Sequence, residues 1–119
     1  MDNFVGIDLH DTFVLSWCVQ DSVLEFDLEA SIWPKSQYYS KPKLDEFTCY
    51  KKAKLRFLSI SSIEGLRSLD DVDFSTDING EKDYGNIDHL EKTASGFLIE
   101  GDFGVVVIEN EGIEFEIKT

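Results

Sequence analysis

No stretch of this chain is long and apolar enough to cross a bilayer as a helix. The longest uninterrupted apolar run is Val105-Val106-Val107-Ile108, against the roughly 20 residues a span requires. The start, Met1-Asp2-Asn3-Phe4, lacks the basic opening, apolar stretch and small-residue cleavage site of a secretory leader, so a cytoplasmic protein is expected. Cysteine is scarce as well: Cys18 and Cys49 are too few for a disulfide framework, and a reducing compartment would keep both as thiols. Positive charge is the third shortage, with 11 Lys and Arg against 24 Asp and Glu and a formal net charge of −13. A body this acidic repels phosphate, which argues against nucleic acid and anionic membrane surfaces as partners.

Apolar material is plentiful. Of the 119 residues 42% are hydrophobic and 13% aromatic, including nine Phe, enough to offset the ordering entropy that leaves low-hydrophobicity chains unfolded. The length suits one core, so residues 1–119 are expected to form a single domain. Charge is unevenly spread. Residues 1–34 hold seven acids and no Lys or Arg, residues 35–56 hold seven bases and two acids, and residues 57–119 hold fifteen acids and four bases. The middle of an acidic chain is basic.

Period-two alternation, the mark of half-buried strands, dominates. Phe13, Leu15, Trp17 and Val19 fall on one face, Asp21-Ser22 supplies a turn, and Leu24, Phe26, Leu28 and Ala30 alternate with Glu25, Asp27 and Glu29. This predicts a hairpin. A third strand over 47–57 sets Phe47, Cys49, Ala53, Leu55 and Phe57 against Lys52, Lys54 and Arg56. Short strands follow at Phe97 to Glu100, Val105 to Ile108 and Ile113 to Ile117. Two regions depart from alternation: Ile32 to Glu46, with Trp33-Pro34, Tyr38-Tyr39 and Lys41-Pro42, and the acidic stretch Gly65 to Asp83 with its Asn79-Gly80 turn signal. Short helical turns are expected around Ser68 to Val72 and around Asn86 to Lys92, where Ile87 and Leu90 lie three apart. The fold expected is mainly all-β, an antiparallel sandwich or partly closed roll or barrel of about seven to nine strands with at most short helical turns. Its core is expected to hold Trp17, Phe26, Leu28, Leu55, Phe57, Ile99, Val107 and Phe115.

Chemistry-bearing patterns are sparse. Asp8, His10 and Asp11 could seat a metal or an acid/base pair, but His89 is the only other imidazole and no ligand spacing links the two. Hydrogen bonds to nearby backbone are the simpler role for Asp8-Leu9-His10-Asp11. No nucleophile elbow or phosphate loop appears, and Gly101-Asp102-Phe103-Gly104 reads as a tight turn carrying an aromatic plug. Lys51, Lys52, Lys54 and Arg56 near Tyr38, Tyr39 and Tyr50 resemble a stacking surface for single-stranded nucleic acid. A cross-strand ladder with Glu25, Asp27 and Glu29 accounts for these bases better. No catalytic residue, metal or cofactor is assigned.

The order of parts resembles small bacterial β-rich proteins taken to be immunity proteins of polymorphic toxin systems. The resemblance lies in Leu9-His10-Asp11, the hairpin from Trp17 to Leu28, Leu55-x-Phe57, and Gly101-Asp102-Phe103-Gly104 before the last strand. It implies a non-catalytic protein that binds and blocks a basic toxin; the basic stretch 35–56 departs from a uniformly acidic face. The expected contact surface is the acidic loop Asp70, Asp71, Asp73, Asp77 and Glu81, whose carboxylates have no obvious local counter-ions, with Trp33, Tyr38 and Tyr39 as a secondary surface. A small metal-binding protein or enzyme centred on Asp8, His10 and Asp11 is the alternative, and a homodimer a third.

Overall fold

Asp21 and Ser22 turn the first long strand back on itself, both at left-handed φ (53° and 64°), the conformation whose twist matches the two flanking strands. The computed structural model describes residues 4–42 and 48–118. Phe47, expected on the buried face of the third strand, lies outside them. In chain order the strands are β1 (Ile7–Gln20), β2 (Val23–Ile32), β3 (Cys49–Phe57), β4 (Ser62–Glu64), β5 (Ser75–Thr76), β6 (Lys82–Asp83), β7 (Ile87–Lys92), β8 (Gly96–Gly101), β9 (Gly104–Glu109) and β10 (Ile113–Ile117), with one 3-10 turn at Leu69–Asp71.

Eight strands build two four-stranded sheets in the orders β1-β2-β3-β10 and β4-β9-β8-β7, and β5 pairs only with β6. All pairings are antiparallel. The expected all-β antiparallel fold is therefore the observed one, a sandwich that is not closed into a barrel. One seam joins the sheets: the Val14 N–H donates to Gly85 O (2.8 Å) and the Tyr84 N–H to Val14 O (2.9 Å), beside an isolated bridge from Phe13 to Asn86. The two crossings between sheets run side by side, where the Leu58 N–H donates to Gly112 O (3.1 Å). The Asn110 amide holds them together, its Nδ2 donating to Leu58 O (3.0 Å) and Gly112 O (2.7 Å).

Facing side chains fill the space between the sheets. Phe26 of β2 meets Phe103 at 4.8 Å between ring centroids, and Phe57 of β3 meets Phe97 of β8 at 5.5 Å. Trp17 is buried with Tyr84 and Phe103 edge-on to it, and its indole N–H donates to Arg67 O at 2.9 Å. That bond satisfies the one polar atom the ring brings into the core.

Three expectations fail for one kind of reason, the phase of a strand. Phe13 and Leu15 were expected beside Trp17 on the core face, yet the buried neighbour is Val14, three residues before Trp17. The register steps from Val14↔Leu28 to Ser16↔Asp27, so Leu15 is an extra residue in a bulge that resets the alternation. The same device converts the helical turn expected over Asn86 to Lys92 into β7, where Ile87↔Gly101 is followed by His89↔Glu100, and a bulge at Asp88 lets Ile87 and Leu90 face inward from a strand. Val107, expected in the core, is 50% exposed, whereas Val106 and Ile108 are fully buried. An unbroken apolar run has no alternation to set its phase, and the pairings Phe97↔Ile108 and Ile99↔Val106 set it here.

Candidate functional site

The basic face of β3 lies between two acidic strands. Glu25, Asp27 and Glu29 of β2 stand directly opposite Arg56, Lys54 and Lys52, the ladder the alternation predicts. On the other side β10 places Glu114 opposite Arg56 and Glu116 opposite Lys54. Arg56 reaches three carboxylates: Nε to Glu25 Oε1 (2.9 Å), Nη1 to Glu114 Oε1 (2.5 Å) and Nη2 to Glu116 Oε1 (2.9 Å). Lys54 sits 3.1 Å from Asp27 and 3.4 Å from Glu25. The hydrogen bond that Arg56 donates to Glu116 is the largest influence holding Arg56 in its charged form, and the one Lys54 donates to Asp27 acts in the same way on Lys54. Glu116 in turn is held below the usual carboxylate range, first by its hydrogen bond from Arg56. Exposed pairs of this kind are screened by solvent and contribute little each to stability. The consequence is electrostatic: Lys52, Lys54 and Arg56 are neutralised within the protein.

The acidic loop is arranged differently. Asp70 and Asp71 lie on the 3-10 turn capped by Ser68, whose Oγ accepts from the Asp70 N–H at 3.3 Å, and Asp73 follows; all three are exposed. None forms a salt bridge among the described residues. Asp77 uses Oδ1 to accept from the N–H groups of Asn79 and Glu81, both at 2.8 Å, which shapes the β5–β6 turn. Glu81 departs from the expectation of unpaired loop carboxylates. It forms an ion pair with Lys52, which also lies 3.7 Å from Glu29. The β5–β6 hairpin is thereby tied to the first sheet, and the loop carboxylates without an ion pair among the described residues narrow to Asp70, Asp71, Asp73 and Asp77, the last with Oδ1 engaged by backbone N–H groups. The same acidic segment carries two exposed apolar side chains that its charge does not announce: Ile78 at the hairpin tip, 98% exposed, and Phe74, half exposed beneath the Lys82 ammonium at 4.6 Å. Ile78 inside an Asp-Ile-Asn-Gly turn was the available signal, since turn positions rarely select a β-branched apolar residue.

Trp33 is half exposed with Lys35 over its ring at 5.6 Å, while Tyr38 and Tyr39 pack partly buried against the core. Trp33 and Tyr39 line a shallow cleft of about 210 Å³ with Asp11, Pro34, Pro42 and Thr48. Asp8 and Asp11 bond the backbone and neighbouring hydroxyls, and His10 takes part through its backbone N–H. Asp8 Oδ1 accepts from the His10 N–H at 3.1 Å, and Asp11 Oδ2 accepts from Ser31 Oγ (3.1 Å) and Tyr50 Oη (2.9 Å). Among the described residues no three His, Cys, Asp or Glu side chains converge as a metal site would require. Cys18 is exposed and Cys49 buried, both as free thiols.

Burial, and then the hydrogen bond to Asp11, push the Tyr50 phenol up from 10.0 to about 12. The proton is held more tightly in the folded state, so this contribution to stability is complete below about pH 10 and is lost as pH rises towards about 12. An absorbance titration of the wild type against Tyr50→Phe should place the missing phenol near 12, and Asp11→Asn should lower it. Titration of Tyr50 at 10.0, the ordinary value, would show that Asp11 does not grip it.

Comparison with protein-family models, with curated proteins and with solved structures finds no match to this chain. The fold and surface define the class of molecule: an antiparallel β-sandwich with one internally neutralised face and an acidic loop bearing apolar tips.

Proposed function

We propose that this chain is a non-catalytic protein-binding module that engages a basic protein, acting as an immunity-type inhibitor of a toxin in the cytoplasm. The observation that carries the reading is the partition of charge. Lys52, Lys54 and Arg56 are spent on Glu25, Asp27, Glu29, Glu81, Glu114 and Glu116, whereas Asp70, Asp71 and Asp73 remain exposed and without ion pairs among the described residues. Unpaired carboxylates keep their full field for steering a basic partner, and steering raises association rates most at low salt. Ile78 and Phe74 add what charge alone lacks, exposed apolar area within the same acidic segment that a partner pocket can desolvate. The competing metal or enzyme centre has less support, because Asp8 and Asp11 are already engaged by His10, Ser31 and Tyr50.

Co-expression tests the reading. An immunity protein is encoded beside its toxin, so the product of the adjoining gene should stop growth when expressed alone. It should be tolerated, and co-purify as a stable complex, when this chain is expressed with it. An adjoining product that is toxic, yet neither bound nor neutralised by this chain, contradicts the proposal.

A further inference from the structure

The outer face of the second sheet contrasts with that of the first. Reading across it, β4 presents Ser62 and Glu64, β9 presents Glu109, Val107 and Val105, β8 presents Leu98 and Glu100, and β7 presents Glu91 and His89, by the pairings Glu64↔Val107, Leu98↔Val107, Glu100↔Val105, Glu91↔Leu98 and His89↔Glu100. Val105 and Val107 are 59% and 50% exposed. Leu98 stands beside Val107 and is partly exposed. No Lys or Arg occupies these positions, and Glu64, Glu100 and Glu109 form no salt bridge among the described residues; Glu91 has only His89, at 3.4 Å. Single exposed valines on a strand need no explanation beyond β-propensity. Three adjoining apolar side chains ringed by unneutralised carboxylates form a surface with a definite complement.

We infer that this face, centred on Leu98, Val105 and Val107 and rimmed by Glu64, Glu91, Glu100 and Glu109, docks an apolar patch bordered by Lys or Arg on the basic partner. The inference rests on the proposed function and adds a contact surface to it. Charge complementarity selects the occupant. A second copy of this chain would set the same four glutamates against each other, and like charges brought together at an interface are repulsive. The face is also continuous with the acidic loop. The Arg67 N–H donates to Phe103 O at 2.8 Å, and its guanidinium reaches Asp102 O (3.2 Å) and Asp71 O (2.6 Å). The loop is thus fixed at the end of β9 where Val105 lies, and a partner steered by Asp70 and Asp71 arrives beside the apolar centre.

The probe is a synthetic peptide alternating Lys and Leu, with a Lys and Ser peptide of equal charge as control, titrated into isotopically labelled protein and followed by amide chemical shifts. The Lys/Leu peptide should shift amides of 96–101 and 104–109 and bind about tenfold or more tightly than the Lys/Ser peptide. The double variant Val105→Thr and Val107→Thr, nearly isosteric and strand-compatible, should abolish that preference. Shift mapping on the wild type tests the same surface independently of whether the variant folds. Equal binding of the two peptides, or shifts confined to 65–83, overturns this docking face while leaving a basic partner for the loop intact. Failure of both peptides to bind overturns the docking face and the basic-partner reading together. A wild-type dimer in sedimentation that the double variant dissolves reassigns the face to self-association and overturns the inference.

Discussion

Phe103→Ala is expected to lower the free energy of unfolding by about 3–5 kcal/mol, the cost of losing a large buried aromatic and leaving a cavity. Phe103 is fully buried although it sits in a four-residue turn, where exposure is the rule. Its ring packs 4.8 Å from Phe26 and 5.9 Å from Trp17, spanning the two sheets. The turn is built to aim it inward. Gly104 adopts φ 123°, a conformation L side chains rarely take, and a Cβ on Gly101 would lie 2.4 Å from the Phe103 ring and 2.8 Å from Asn86 O. Backbone also anchors the plug, through the bond from the Arg67 N–H to Phe103 O. Urea denaturation of Phe103→Ala should show a lower midpoint with an unchanged slope, and Trp17 emission should shift to the red as its neighbour is removed. A loss below about 1 kcal/mol would mean that the surroundings collapse into the space and that the ring does not join the sheets.

Much of this architecture was legible because polar and apolar residues alternate cleanly where a strand has one wet face. Glu25, Asp27 and Glu29 against Lys52, Lys54 and Arg56 announced both the hairpin and its neighbour, and the register pairs them as the alternation requires. Gly101-Asp102-Phe103-Gly104 likewise disclosed a plug before its surroundings were known. What stayed hidden was phase. The extra residues at Leu15 and Asp88 leave no mark in composition, and each imitates another pattern: Val14 and Trp17, or Ile87 and Leu90, spaced three apart as on a helix. Val105 to Ile108 carry no polar residue that could say which pair is outside.

The candidate surface was legible in charge and obscure in topology. The acids of 70–81 could be counted, but that Glu81 would reach Lys52 depends on the β5–β6 hairpin crossing to the first sheet, a contact some thirty residues distant in sequence. Glu114 and Glu116 were visible as one alternating face, yet their role as the outer column around Arg56 depends on β10 returning beside β3. The apolar patch at Leu98, Val105 and Val107 follows from the same unresolved phase, and so surfaced only with the register of β8 on β9.

Steering by the acidic loop would show in the association rate with a basic partner obtained by co-expression, measured by stopped flow across a range of salt. The wild-type rate should fall steeply as salt rises towards about 0.15 M, where screening acts over roughly 8 Å. Replacing Asp70, Asp71 and Asp73 together with Asn should slow association at low salt by about tenfold or more and flatten that dependence. The dissociation rate and the unfolding midpoint should change little, because exposed loop charges contribute little to stability. Glu25→Gln serves as the reference, since that carboxylate is already held by Arg56 and Lys54 and should leave the rate nearly unaltered. Equal low-salt rates for the wild type and the triple variant would contradict the account and remove the acidic loop as the surface that brings the partner in.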